Sequence, residues 1–120
     1  GHFAESGLLS GTAFGDTGEA EGSMGIDVGD FNNDGLPDLW VANFENQSFA
    51  LYRNEGEGRF QHVSAITGIT AVGADYVGFG TCFFDFDLDG DQDLFAANGH
   101  VMYRPANGSV QQKPLLFENR

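Results

Sequence analysis

The sequence predicts an all-β protein assembled from repeated four-stranded units, and three observations carry that reading. The first is a duplication. Asp30-Phe31-Asn32-Asn33-Asp34-Gly35-Leu36-Pro37-Asp38 returns 55 residues later as Asp85-Phe86-Asp87-Leu88-Asp89-Gly90-Asp91-Gln92-Asp93. The second is local. The segments between these acidic loops are short, rich in β-branched and aromatic residues, and none holds a 3.6-residue period over ten positions. The third is compositional. Gly makes up 18 of 120 residues, about twice the average share, which points to many turns and little long helix.

The elements follow in order. Gly1-His2-Phe3 resembles Gly58-Arg59-Phe60, so residues 1–22 read as the end of a preceding unit and a linker. Residues 23–70 form the first full repeat, with strands expected at 25–31, 38–44, 49–54 and 60–66. Asn54-Glu55-Gly56-Glu57-Gly58 has hairpin chemistry, with Gly available for positive φ. Residues 71–120 form a second repeat that stops before its last strand, with strands expected at 76–86, 93–98 and 114–118. The flanks agree: Leu39-Trp40-Val41-Ala42-Asn43 lies opposite Leu94-Phe95-Ala96-Ala97-Asn98. Leu51-Tyr52-Arg53-Asn54 matches Leu116-Phe117-Glu118-Asn119 at a larger offset, so the second repeat carries about ten extra residues within 100–113. That insertion reads as an irregular recognition loop.

Runs such as Leu39-Trp40-Val41-Ala42 and Cys82-Phe83-Phe84 are apolar without alternation, which means burial on both faces. Four short strands per repeat, buried on both faces, fit blades of a β-propeller stacked between neighbouring blades. About two blades are present. A two-blade piece would leave apolar faces and strand edges uncovered, so self-association is expected unless further blades cover them.

Each nine-residue loop offers oxygen at positions 1, 3, 5 and 9, with Gly at position 6 for the sharp turn. Alternate side chains of a tight loop converge, and position 7 can add a backbone carbonyl. The expected ligands are Asp30, Asn32, Asp34, the Leu36 carbonyl and Asp38 in the first loop. In the second they are Asp85, Asp87, Asp89, the Asp91 carbonyl and Asp93. Eight of the chain's 18 acidic residues lie in these two loops. Two carboxylates ~5 Å apart repel by ~3 kcal/mol at an effective dielectric of ~20, so four together need a cation or protonation. Oxygen-only ligation argues against zinc and copper. A ligand-rich loop suits Ca2+, which takes six to eight oxygens, better than Mg2+, which keeps waters. Two Ca2+ sites are therefore expected, with structural ions at strand-to-strand corners. A merely solvated Asp/Asn/Gly turn explains one such loop better than two in the same strand context. An EF-hand is disfavoured because its twelfth position, a Glu there, is Val41 or Ala96 here, and because strands flank the loops. Dockerin loops precede helices, and thrombospondin type 3 arrays are Cys-rich.

Phe79-Gly80, the Asp-x-Asp-x-Asp-Gly-x-x-Asp loop and Ala97-Asn98-Gly99 resemble the FG-GAP/VCBS repeats of integrin-α-like calcium-binding propellers. Residues 51–60, from Leu51-Tyr52-Arg53-Asn54 to Phe60, together with Gly99-His100-Val101, are similar to the cartilage acidic protein (ASPIC/UnbV-associated) type. The first repeat departs from the pattern, with Met24 in place of the Phe of the Phe-Gly pair. The resemblance implies a seven-bladed parent, an extracellular, cell-surface or periplasmic location, and a non-catalytic module for protein binding or adhesion. The rival expectation is a carbohydrate-interacting propeller domain, either a lectin using aromatics such as Trp40 or Tyr103, or a glycan lyase or hydrolase using an acid pair.

Charge narrows the partners. Five basic against 18 acidic residues, a net charge of -13, repel phosphate backbones, so no nucleic-acid partner is expected. No apolar run reaches the ~18 residues of a membrane span. The partners left are a protein or glycan ligand and neighbouring blades of the same parent chain. The single Cys82 forms no intrachain disulfide and reads as a small core residue. His2, His62 and His100 lack partners at ligand or triad spacing and read as hydrogen-bonded structural residues. The start lacks Met, a basic segment and an apolar segment, so a processed or excised chain is expected.

Overall fold

The computed structural model describes residues 1–72, 74–102, 105 and 109–120. Tyr103 and the middle of the 100–113 insertion lie outside the described residues. Among the described residues the chain forms seven strands in two antiparallel sheets. The first has the order β1 (Ser23–Gly29), β2 (Asp38–Asn43), β3 (Ala50–Gly56), β4 (Arg59–His62). The second has the order β5 (Gly78–Phe84), β6 (Asp93–Asn98), β7 (Leu115–Phe117). Helix is confined to one turn, α1 (Gly7–Ser10), and a 3-10 turn at Ile69–Val72.

The duplication is visible in the ladders. Gly25 pairs with Ala42 and Gly29 with Asp38; 55 residues on, Gly80 pairs with Ala97 and Phe84 with Asp93. Both first strands carry an irregularity near the start, between Ser23 and Gly25 and between Gly78 and Gly80. The β3–β4 turn is the two-residue loop Glu57-Gly58, with φ of 53° and 73°, as a type I′ hairpin requires. The fourth strand stops at His62, short of the expected residue 66. Ser64 and Thr67 turn the chain locally: the Thr67 amide and hydroxyl both donate to the Val63 carbonyl, and Ser64 Oγ accepts the Leu51 amide at 2.7 Å. The fifth strand is likewise shorter than 76–86. The Val77 amide is taken by Gln112 Oε1, and the acidic loop begins at Asp85.

The core lies between the sheets. Trp40, Ala42, Phe49 and Leu51 of the first repeat meet Leu94 and Ala96 of the second, with Phe83 and Phe117 packed on them. Trp40 is 0 % exposed, so it is no sugar-stacking platform; it stacks edge-on against Phe49 and Phe117 and donates from Nε1 to the Phe95 carbonyl at 3.1 Å. The 100–113 insertion is closed at its base by a Gly99–Gln111 bridge and the His100 amide on the Val110 carbonyl.

The histidines differ. His100 is buried and satisfied, with Nε2 on Glu45 Oε2 at 3.0 Å and Nδ1 accepting the Met102 amide. His62 stacks edge-on with Tyr52, but neither ring nitrogen has a hydrogen-bond partner, contrary to the sequence expectation. Burial therefore depresses the His62 pKa below 6.5, only partly opposed by the Asp16 carboxylate. The unfolded chain then binds the proton more tightly, and stability falls as pH drops from 6.5 through the folded value. His62→Phe is expected to flatten the pH dependence of Tm in that window and to raise Tm there; an unchanged slope would contradict this account.

Candidate metal centre

Each acidic loop joins the first two strands of its sheet, and both loops use one hydrogen-bond scaffold. The position-1 carboxylate caps the turn. Asp30 accepts the amides of Asp34 and Gly35 at 3.0 and 2.8 Å, and Asp85 those of Asp89 and Gly90 at 3.1 and 3.0 Å. Position 5 accepts the amide of position 7: Leu36 on Asp34 at 2.8 Å, Asp91 on Asp89 at 2.9 Å. Gly35 and Gly90 have φ of 83° and 101°, which explains the Gly at position 6. Position 4 is left-handed as well, in Asn33 (φ 56°) and Leu88 (φ 63°). Asn suits that region; Leu does not, and Leu88 is 86 % exposed with no burial to compensate.

Position 9 anchors the loop to the third strand. Asp38 and Asp93 are buried, and each uses both oxygens on backbone amides. Asp38 accepts from Phe31 and Asn54 at 3.1 and 2.7 Å, and Asp93 from Phe86 and Asn119, both at 2.8 Å. Burial, partly offset by the Asn54 and Phe31 amides, raises the Asp38 pKa above its usual value.

Of the expected ligands, the structure brings Asp85, Asp87 and Asp89 together, one oxygen of each within 4.8 Å of the others. Loss of solvent around the carboxylate, then the neighbouring Asp89 charge, pushes the Asp87 pKa up. The first loop has Asn32 at position 3, where its Nδ2 donates to Asp34 Oδ2 at 2.8 Å. The Asp91 side chain turns away to the other loop and accepts from Asn33 Nδ2 at 2.7 Å. Leu36 and Asp91 enter the scaffold through their amides. The donor set fits a hard cation: every side chain offers oxygen, and each carboxylate oxygen already holding an amide keeps a second acceptor direction.

Sequence reasoning missed the residues that join the two loops. Gln92 Oε1 accepts the Asp30 amide at 2.8 Å, and Asn119 Nδ2 donates to the Phe31 carbonyl at 2.7 Å. For Asn119 a signal existed, because its counterpart Asn54 also closes the corner, donating to the Pro37 carbonyl at 2.9 Å. Gln92 stands where the first repeat has Pro37, so no repeat signal marked it.

A family model for FG-GAP-like repeats matches residues 30–96, from the first acidic loop into β6. The chain belongs to the FG-GAP-like repeat family. It is also 31% identical over 102 residues to cartilage acidic protein 1 of Xenopus tropicalis, covering 81% of this chain. The chain spans 15% of that relative's length. With two antiparallel sheets related by the repeat, the FG-GAP units form a repeat module of a β-propeller-like domain. No helix is long and apolar enough to cross a membrane among the described residues.

Two cavities flank this region, and the first is lined in part by Phe31 and Gln92 of the loops themselves. The first, of about 380 Å³, has an apolar floor that includes Leu51, Ile69 and Leu94, and Glu118 is its one carboxylate among the described residues. Arg120, hydrogen-bonded to Glu118, lowers the Glu118 pKa. The other, of about 270 Å³, is polar and gathers Asp16, Glu19 and Glu21 beside Asn46, Gln47 and Ser48. Burial raises the Glu21 pKa, opposed by a hydrogen bond from Asn43.

Proposed function

We propose that this chain is a calcium-binding propeller module for extracellular protein binding or adhesion, with two structural Ca2+ ions and no catalytic role. The convergence of Asp85, Asp87 and Asp89 at one corner carries the reading. Asp30, Asn32, Asp34, Asp38 and the Leu36 carbonyl would hold the first ion. Asp85, Asp87, Asp89, Asp93 and the Asp91 carbonyl would hold the second. An ion at each corner supplies the positive charge that the clustered carboxylates lack. The protein's part is to pin the β1–β2 and β5–β6 corners and so set the loops at that rim for a partner. The cartilage-protein relative and the repeat family support an extracellular setting.

Calcium titration by calorimetry, with Tm as a second readout, tests this. Two ions should bind, and Tm should rise; a ligand at 100 times its Kd adds about 2.7 kcal/mol. The second loop has four side-chain carboxylates among its ligands against three in the first, so Asp89→Ala should remove the tighter site and Asp34→Ala the weaker. No calcium-dependent heat or Tm shift would refute calcium binding, and an equal or larger affinity loss from Asp34→Ala would refute the ranking.

The polar cavity at Asp16, Glu19 and Glu21 favours a second reading, a carbohydrate-interacting domain, because clustered carboxylates and amides suit a hydroxyl-rich ligand. Glycan-array binding that Glu21→Gln abolishes, while calcium binding persists, would select that reading over adhesion.

A further inference from the structure

The two acidic loops touch, and they do so through side chains that the expected ligand sets leave over. Gln92 Oε1 accepts the Asp30 amide at 2.8 Å, and Asp91 Oδ1 accepts from Asn33 Nδ2 at 2.7 Å. Asn119 Nδ2 donates to the Phe31 and Gln92 carbonyls at 2.7 and 3.2 Å. Each contact lands on the opening of the first loop. Asp30 is position 1, whose carboxylate caps the turn, Phe31 is position 2, and Asn33 is the left-handed position 4. A glycine makes the room for Gln92: a Cβ on Gly29 would collide with Gln92 Oε1 as well as with the Phe83 ring. In the second repeat the equivalent of Gly29 is Phe84, and in the first the equivalent of Gln92 is Pro37, whose ring has neither donor nor acceptor. The junction is therefore built for this pair of loops and is not a by-product of the repeat.

The stretch that reaches across is the stretch an ion in the second loop would fix. Asp89 Oδ1 holds the Asp91 amide at 2.9 Å, and the Asp91 carbonyl, which belongs to the peptide joining Asp91 to Gln92, is an expected ligand. Asp93 follows, anchored by the Phe86 and Asn119 amides. An ion bound there immobilises the 91–92 peptide, and with it the two side chains that hold Asp30 and Asn33. The first loop is then partly ordered before its own ion arrives, and that ion binds at a lower entropic cost.

We propose that the second loop positions the first, so that Ca2+ held by Asp85–Asp93 raises the affinity of the Asp30–Asp38 site through Gln92 and the Asp91 side chain. This rests on the calcium reading given above. By reciprocity the first ion strengthens the second by the same factor. Gln92 and Asn33 are positioning residues, since neither is an expected ligand. The charges of the two ions act against each other, but most loop positions are exposed, and at about 0.15 M salt such repulsion is largely screened beyond about 8 Å.

Hydrogen exchange read by NMR, together with calorimetry, tests this. In Asp34→Ala the first site is disabled, and calorimetry should count one ion. Calcium should nevertheless slow exchange of the Gly35 amide, which Asp30 Oδ2 holds at 2.8 Å in the loop without an ion. The expected effect is about fivefold or more, the lower end of typical coupling between sites. Adding Gln92→Leu, which removes the acceptor for the Asp30 amide, should abolish that response while the second ion still binds. Asn33→Gly, which keeps the left-handed backbone, should weaken it. Affinity supplies the second arm. Asp89→Ala disables the second site, and the first should then bind calcium about fivefold or more weakly than in the wild type. In a Gln92→Leu, Asn33→Gly background the same change should leave the first site's Kd where it was. A Gly35 amide indifferent to calcium in Asp34→Ala, or one that responds equally with Gln92→Leu, would overturn the coupling and leave calcium binding intact. So would a first-site Kd that Asp89→Ala does not move. No calcium-dependent heat from the wild type would instead remove the calcium reading, and the coupling with it.

Discussion

Asp38→Ala should destabilise the chain by about 2–5 kcal/mol even in the presence of a chelator. The reason is hydrogen bonding, independent of any ion. Asp38 is 0 % exposed, and its two oxygens hold the Phe31 and Asn54 amides, tying the acidic loop to the third strand. Truncation leaves two partly buried donors without partners, each costing about 1–3 kcal/mol when water cannot replace the lost acceptor. The carboxylate's own charge is not what stabilises the site, since burial raises its pKa and so penalises ionisation. Asp38→Asn therefore separates the effects. It removes the charge, keeps one acceptor oxygen and loses one bond, and should cost roughly half as much. Asp34→Ala is the control, because its carboxylate is exposed and accepts chiefly within the loop. Urea melts of the three variants with chelator should rank Asp38→Ala well below Asp38→Asn, and Asp34→Ala nearest the wild type. If Asp38→Ala matched Asp34→Ala under chelator, position 9 would be a ligand and nothing more.

That anchoring role of position 9 marks where sequence reading stopped. The repeat, the antiparallel hairpins and the loop corners were legible because each leaves a local mark: alternation or its absence, Gly at the turn, oxygen at odd positions. The ends of β4 and β5 were not. They are set by Ser64 and Thr67 bonding nearby backbone, and by Gln112 reaching Val77 from 35 residues away. A propensity window sees Val63 and Ile66 and extends the strand; it does not see the Ser64 hydroxyl taking the Leu51 amide. The clustering of oxygen-bearing side chains in the loops was legible, but their division of labour was not. Asp30 and Asp85 cap turns, Asp38 and Asp93 anchor strands, and Asp91 leaves its own loop for Asn33. Those assignments depend on what faces each oxygen across the seam between sheets, and spacing along the chain carries no information about it. Trp40 was open to two readings for the same reason: the apolar run 39–42 read as buried, the rival sugar-binding expectation needed the ring exposed, and the structure buries it. A lone Trp in a strand reads equally well as an exposed platform or a core residue until the opposing sheet is in place.

Trp40→Ala tests that seam directly, and the expected loss is about 3–5 kcal/mol, within the range for deleting a large buried aromatic. The side chain lies between the sheets, with ring centroids 5.7 Å from Phe49 and 5.8 Å from Phe117, both edge-on. Its indole N–H is also a polar tie between repeats, donating to the Phe95 carbonyl of β6. Trp40→Phe keeps much of the apolar volume and removes the donor. It should cost about 1–2 kcal/mol, one hydrogen bond plus a small void. For a domain whose whole stability is about 5–15 kcal/mol, the alanine variant approaches the limit of folding, whereas the phenylalanine variant stays below it. Because Phe49 belongs to the first repeat and Phe117 to the second, the damage should not stay in one sheet. Hydrogen exchange should show amides of β2 and β6 losing protection together in Trp40→Ala. Protection lost in β2 alone, with β6 unchanged, would mean that the two repeats fold independently and that the indole fills the first sheet without joining it to the second.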